Sequence, residues 1–207
     1  MTDSPRSRLR LPHGAWLLLA TIVLVVGYLG LSVWLPYHVE QQIVQKIETS
    51  GGLVETRIVG PKWLRRLAGE DRVKEFKVLT RVEAVQLLGM ENTDAETTYL
   101  SGLLNIQKLW LADTAATDAS LAHLSGLTNL EELWLKRTKI TDAGLPRLSG
   151  LKKLRCLSLY GTKVTDSGLV HLSGLTNLEL LYLHATPVTD EGIEELQKAL
   201  PDCKIFR

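Results

Sequence analysis

The sequence predicts an α/β solenoid, with short parallel strands on a concave face and short helices on a convex one, preceded by one transmembrane helix. Three observations carry that prediction. Leu100, Leu124, Leu148, Leu172 and Leu196 stand 24 residues apart, and the text between them recurs. The octet LSGLTNLE occupies Leu124–Glu131 and returns unchanged at Leu172–Glu179. From Gly14 to Leu35 the chain runs 22 residues without a charge.

Composition sets the outer limits. The chain has 207 residues, 45% of them hydrophobic and 23% charged, enough to bury a core and too apolar for wholesale disorder. Lys plus Arg is 24 against 23 for Asp plus Glu, a net charge of +1, so no basic footprint points to nucleic acid. Cys156 and Cys203 are the two cysteines, too few for a disulfide framework and not spaced as a zinc site.

Residues 1–13 read as a cytoplasmic tail and 14–35 as the transmembrane helix. As a helix the uncharged run rises roughly 33 Å, close to the ~30 Å hydrocarbon core of a bilayer. Trp16, Trp34 and Tyr37 lie near its ends, where amphipathic rings favour the headgroups. Arg6, Arg8 and Arg10 precede it, whereas the stretch that follows carries only Lys46. This asymmetry places the N-terminus inside the cytoplasmic membrane and the repeats outside, on a single-pass protein. A cleaved signal peptide is the rival reading. Its apolar core is normally shorter and ends in small residues, whereas this run ends Ser32-Val33-Trp34-Leu35-Pro36-Tyr37.

Residues 36–75 read as a linker and N-terminal cap. Val39, Ile43 and Ile47 recur every four residues as the buried stripe of a helix, ended by Ser50-Gly51-Gly52. Leu53–Val59 has the makings of a strand, and Pro61-Lys62-Trp63-Leu64 opens another short helix.

Residues 76–195 hold five 24-residue units. Leu109, Leu133, Leu157 and Leu181 share a column, as do Leu111, Leu135, Leu159 and Leu183, two positions on. Spacing by two puts both leucines of a unit on one face of a strand, with Trp134 on the other face in its unit. Further columns hold Thr114, Thr138, Thr162 and Thr186, then Thr117, Thr141, Thr165 and Thr189, each of the latter followed by Asp118, Asp142, Asp166 or Asp190. A Thr-Asp pair is a helix start, with a side-chain oxygen capping the free N–H groups, so the Asp column is expected to cap locally. Gly144, Gly168 and Gly192 are poor helix formers, and close approach between neighbouring turns is the expected reason for them. The first unit keeps Val82, Val85 and Leu87 in register but has Thr97 for the helix leucine and Met90 for the threonine. Residues 196–207 form the C-terminal cap, with Lys204-Ile205-Phe206 as a closing strand.

The pattern L-x-x-L-x-L-x-x-T-x-V/I-T-D-x-G-L-x-x-L resembles the leucine-rich repeat, with Thr where many repeats carry Asn. Its length and T-D-x-G-L segment look most like the cysteine-containing subclass found in F-box adaptors and related bacterial proteins. The resemblance covers Phe76 to Arg207. Taken whole, the chain is similar to bacterial single-pass membrane-anchored leucine-rich-repeat proteins, a family without an assigned function. These share an anchor, a segment like GPKWLRRLAGED (Gly60–Asp71) and an ending like ELQKALPDCKI (Glu195–Ile205). The resemblance implies an architecture and no particular reaction.

In that architecture the outward strand residues line the concave face. The central column is Gln86, Trp110, Trp134, Ser158 and Tyr182; the next is Leu88, Ala112, Lys136, Tyr160 and His184; the preceding one is Ala84, Lys108, Glu132, Cys156 and Leu180. Only 6% of the chain is aromatic, yet four aromatics fall on this one surface. Exposed strands favour aromatics for cross-strand pairing as well, but clustered exposed rings flanked by charge are what recognition surfaces are made of. Trp110, Trp134, Tyr160 and Tyr182 are therefore expected to supply apolar contact to a protein partner, with Lys108, Glu132, Lys136 and His184 setting orientation.

No catalytic residue, cofactor site or metal site is expected. His123 and His171 are 48 residues apart along the chain, too far round the stack to share an ion, and no hydrolase, metalloprotease or nucleotide motif occurs. Cys156 and Cys203 fall two turns apart, roughly 10 Å, beyond the ~7 Å reach of a disulfide, so separate thiols are expected. The leading expectation is a membrane-tethered interaction module that is not an enzyme. A structural envelope component, self-assembling or stacking cell-wall glycan on the same aromatics, is the alternative. An F-box-like adaptor ranks lower, because residues 1–75 carry a membrane span where an F-box would need a soluble helical domain.

Overall fold

The structure is a computed structural model that describes residues 13–58, 80–89, 91 and 93–207. The chain divides into two units, Met1–His38 and Val39–Arg207. Helix α1 spans His13–Thr49 and continues through Pro36, so residues 36–38, expected as linker, are helical. Within the first unit Val23, Leu24, Val25 and Tyr28 are all more than half exposed. Among the described residues no helix is long and apolar enough to cross a membrane. The expectation for 14–35 falls largely on side chains outside the described set, as do the cytoplasmic tail, the helix expected at Pro61, and Met90.

In the second unit, seven strands among the described residues form one sheet in chain order. Strand β1 (Leu53–Ile58) runs antiparallel to β2 (Thr80–Gln86) and covers its outer edge. From β2 onward every pairing is parallel: β3 (Lys108–Trp110), β4 (Glu132–Trp134), β5 (Cys156–Ser158), β6 (Leu180–Tyr182) and β7 (Lys204–Phe206). Register follows the 24-residue period, so Leu109, Leu133, Leu157 and Leu181 stand side by side. The convex side carries α2 (Thr93–Leu100), α3 (Asp118–Leu124), a 3-10 turn (Leu145–Leu148), α4 (Asp166–Leu169) and α5 (Asp190–Ala199).

One continuous core lies between these layers. In the unit around β4, Leu127, Leu130, Leu133, Leu135, Ile140, Leu145 and Leu148 are all fully buried. Each such side chain contributes about 1.5–3 kcal/mol relative to exposure, so apolar stacking is the main support of the solenoid. The threonine column closes the turn after each strand: the Thr114, Thr138 and Thr162 hydroxyls each donate to the carbonyl three residues back, at 2.7 Å.

The aspartates differ from the local capping expected. Thr117, Thr165 and Thr189 occupy the N-cap position in extended backbone, and their own hydroxyls accept the helix N–H. Each Asp, one residue further in, is aimed at the following unit instead. Asp118 accepts from Thr141 N–H at 2.9 Å and Thr141 Oγ1 at 2.6 Å, and Asp142 does the same for Thr165 at 2.7 and 2.6 Å. Asp94–Thr117 and Asp166–Thr189 repeat the arrangement, and Asp190 pairs with Arg207. The threonine thus caps while the aspartate fastens one unit to the next.

The expected close approach at the glycines is present. A Cβ on Gly144 would stand 2.4 Å from Asp118 Oδ1, and one on Gly168 would stand 2.3 Å from Asp142 Oδ1. The inter-unit carboxylate occupies the space a side chain would need.

At the N-terminal end of this unit Ile43 and Ile47 are buried as expected, but Val39 is 46% exposed and Glu40 is buried instead. Alternating steps of three and four follow a 3.6-residue helix, whereas steps of four drift off the face, so 40, 43 and 47 form the inward stripe. Arg81 lies 3.7 Å from Glu40, and Asn105 donates to it at 3.4 Å. Burial raises the Glu40 carboxyl, and the Arg81 charge opposes that rise.

Candidate functional site

Strand register assembles the concave face as expected. Gln86, Trp110, Trp134, Ser158 and Tyr182 are successive partners, and Phe206 on β7 extends the column. Ala84, Lys108, Glu132, Cys156 and Leu180 form the neighbouring column. Lys136, Tyr160 and His184 lie just past the strands, where Arg137 N–H donates to Tyr160 O and Gly161 N–H donates to His184 O.

The eight expected site residues fall into two clusters and one outlier. In the first cluster Lys108 Nζ is 2.9 Å from Glu132, and Trp134 Nε1 donates to the same carboxylate at 3.3 Å. The hydrogen bond to Glu132, reinforced by its charge, holds the Lys108 ammonium above the ordinary lysine range. Trp134 stacks on Tyr182 with ring centroids 5.6 Å apart, and Tyr182 stacks on Phe206 at 4.9 Å. In the second cluster the Tyr160 ring lies 6.2 Å from the His184 ring, with Lys136 Nζ 5.4 Å and Arg137 5.7 Å from its centroid. Trp110 is the outlier: it pairs with Trp134 by strand register, but the ring contact of Trp134 is made with Tyr182.

Cys156 and Ser158 depart from what their outward positions suggest. They are 7% and 3% exposed, and Ser158 lies beneath the contact between its strand partners Trp134 and Tyr182. A cleft of about 260 Å³ opens beside Cys156, bounded by Glu131, Glu132, Trp134, Arg155, Glu179 and Tyr182. Arg155 and Glu179 close one end with a two-pronged ion pair at 2.9 and 3.0 Å. The thiols of Cys156 and Cys203 are free and buried, and burial pushes each up to about 11.

Phe206 and Arg137 belong to the face but were absent from the expected site. Phe206 was accessible to the same arithmetic, since it stands 24 residues after Tyr182. Arg137 had no such signal, because no other unit carries a cation at its position.

The strands, convex turns and continuous leucine core define a leucine-rich-repeat-like α/β solenoid. No protein-family model matches the chain, and no curated protein matches it. Solved structures similar to it include internalin C2 from Listeria monocytogenes, 18% identical over 70% of this chain and 80% of that one, with a TM-score of 0.43. The LRR ectodomain of the receptor kinase SOBIR1 from Arabidopsis thaliana is 17% identical over 82% and 91%, with a TM-score of 0.49. The internalin inlF from Listeria monocytogenes is 19% identical over 70% and 54%, with a TM-score of 0.41. These likenesses concern the fold and say nothing of what this chain binds.

Proposed function

We propose that this chain is a membrane-tethered interaction module whose concave face binds a protein partner outside the cytoplasmic membrane, and that it is not an enzyme. The observation that carries the reading is the ring series Trp134–Tyr182–Phe206, set beside the Lys108–Glu132 pair on one face of the sheet. Pre-stacked rings present a broad rigid apolar surface at little entropic cost, and flanking charges supply orientation. The tether rests on the uncharged run 14–35, the arginines before it, and the exposed apolar side chains of Val23, Leu24 and Val25. Glycan stacking is less well served, because Tyr182 has a ring against each of its faces.

Proximity labelling in the native host, with a tag after Arg207 and export-dependent reporters alongside, tests the reading. Envelope proteins labelled by the parent chain and lost in a Trp110→Ala/Trp134→Ala variant are the expected result. Labelling unchanged by the double substitution moves the role to structural assembly. A tag found in the cytoplasm overturns the orientation and reopens the adaptor reading.

A further inference from the structure

The cleft beside Cys156 deepens this reading and rests on it. We propose that it receives one lysine or arginine side chain of the protein partner.

Shape is the first argument. Strand β5 presents Cys156 and Ser158 where β4 presents Glu132 and Trp134 and β6 presents Leu180 and Tyr182, so a small pair lies between two large ones. At Ser158 the Trp134 and Tyr182 rings close over the gap, and at Cys156 it remains a notch one strand wide, with about 10 Å between the flanking backbones. Its 260 Å³ suits an unbranched side chain entering end-on and is too narrow for a helix or a second strand.

Charge is the second. Three carboxylates, Glu131, Glu132 and Glu179, border the notch together with Arg155, while Lys108 lies against Glu132 and Lys153 is bonded to Asn129 in the adjoining depression. Glu132 is engaged by Lys108 and Trp134, and Glu179 by Arg155. The Glu131 carboxylate makes no hydrogen bond or close ion pair among the described residues, its charge acting on Arg155 only at longer range, which leaves its oxygens open at the mouth. An anionic group would face the unpaired Glu131 charge there, and a neutral apolar one would strip water from that carboxylate without compensation. A cation meets neither penalty and finds the Glu131 acceptor at the mouth. The floor is the buried Cys156 thiol, which leaves the cation for the carboxylates at the rim.

The test uses the full chain, 15N-labelled in detergent micelles, titrated with N-acetyl-lysine methylamide, N-acetyl-arginine methylamide and the uncharged N-acetyl-norleucine methylamide. The readout is the Trp134 indole N–H signal, assigned through Trp134→Phe. The cationic probes shift this signal and the norleucine probe does not. Glu131→Gln, on the surface and safe for folding, weakens the response by about threefold or more, and added salt weakens it further. Cys156→Leu fills the notch and removes the response while the other indole signals keep their positions. An equal shift with norleucine, or a response indifferent to Glu131→Gln, overturns the proposal. If the probes fail while the Trp110/Trp134 double variant still loses its labelled proteins, the notch assignment falls and the concave-face reading stands. If the probes bind but labelling ignores the double variant, the concave-face reading falls, and the partner's cation with it.

Discussion

Trp134 and Tyr182 are held two strands apart by the sheet, yet their ring centroids lie 5.6 Å from each other with an interplanar angle of 26°. Two strand spacings come to about 9.6 Å, so the rings close most of that gap by leaning together over Ser158. The contact exists because the residue between them is small. Ser158→Leu therefore forces the rings apart and overpacks the site, at about 1–3 kcal/mol. Urea unfolding gives the stability loss, and near-UV circular dichroism reports the broken stack.

Gly144→Ala places a methyl where Asp118 reaches for Thr141, and is expected to cost about 1–3 kcal/mol. Asp118→Ala leaves the Thr141 N–H without its partner and costs a similar amount. Because the two changes damage one contact, the double variant should fall well short of the sum. Additive losses in a thermodynamic cycle would show that the glycine serves something other than the carboxylate.

Acid should loosen the ladder. At Asp166 the Thr189 N–H, then its hydroxyl, hold the carboxyl below the ordinary 3.8. At Asp94 burial pushes upward, but hydrogen bonds from Ser120 and Thr117 outweigh it and the net direction is down. A carboxyl lowered on folding stabilises fully above its unfolded value, and that contribution is lost as pH falls through the folded one. Denaturant midpoints should therefore drop on acidification below about pH 4, and Asp166→Asn should reduce the slope. An unchanged slope in that variant would deny Asp166 its share.

The two thiols should resist alkylation in the folded chain and react once it unfolds, as a mass shift after iodoacetamide would record. Their folded values near 11, against an ordinary 9.0, favour the neutral form. This stabilisation is complete below pH 9 and is lost as pH rises toward 11. Replacing Cys203 by Ala should flatten that alkaline decline. Rapid native labelling at neutral pH would contradict their burial.

Period alone located the strands, the inward leucines and the order of residues across the concave face, because a strict repeat converts sequence spacing into lateral neighbours. What it missed depends on contacts between units. Thr-Asp reads as a single capping unit, and nothing in one repeat says that the aspartate serves the threonine 23 residues ahead. The tight turn after each strand uses positive φ at Gly89, Asp113, Arg137, Gly161 and Ala185, and three of the five hide it by not being glycine. Glu40 escapes any pattern of apolar spacing, because it is a charge buried beside its own arginine. On the candidate site the column membership was legible, whereas the Trp134–Tyr182 contact and the notch follow from side-chain size at Ser158 and Cys156.

The fastening of each aspartate to the next threonine has a consequence for how such a chain can lengthen. Every lock joins the aspartate of one unit to the threonine of the next, so any in-phase duplication brings along both halves of a new joint. The identical octets at Leu124–Glu131 and Leu172–Glu179 are the kind of text such copying leaves behind. Growth by whole modules would then add concave surface without inventing a contact, leaving only the outward residues to be rewritten for whatever is recognised.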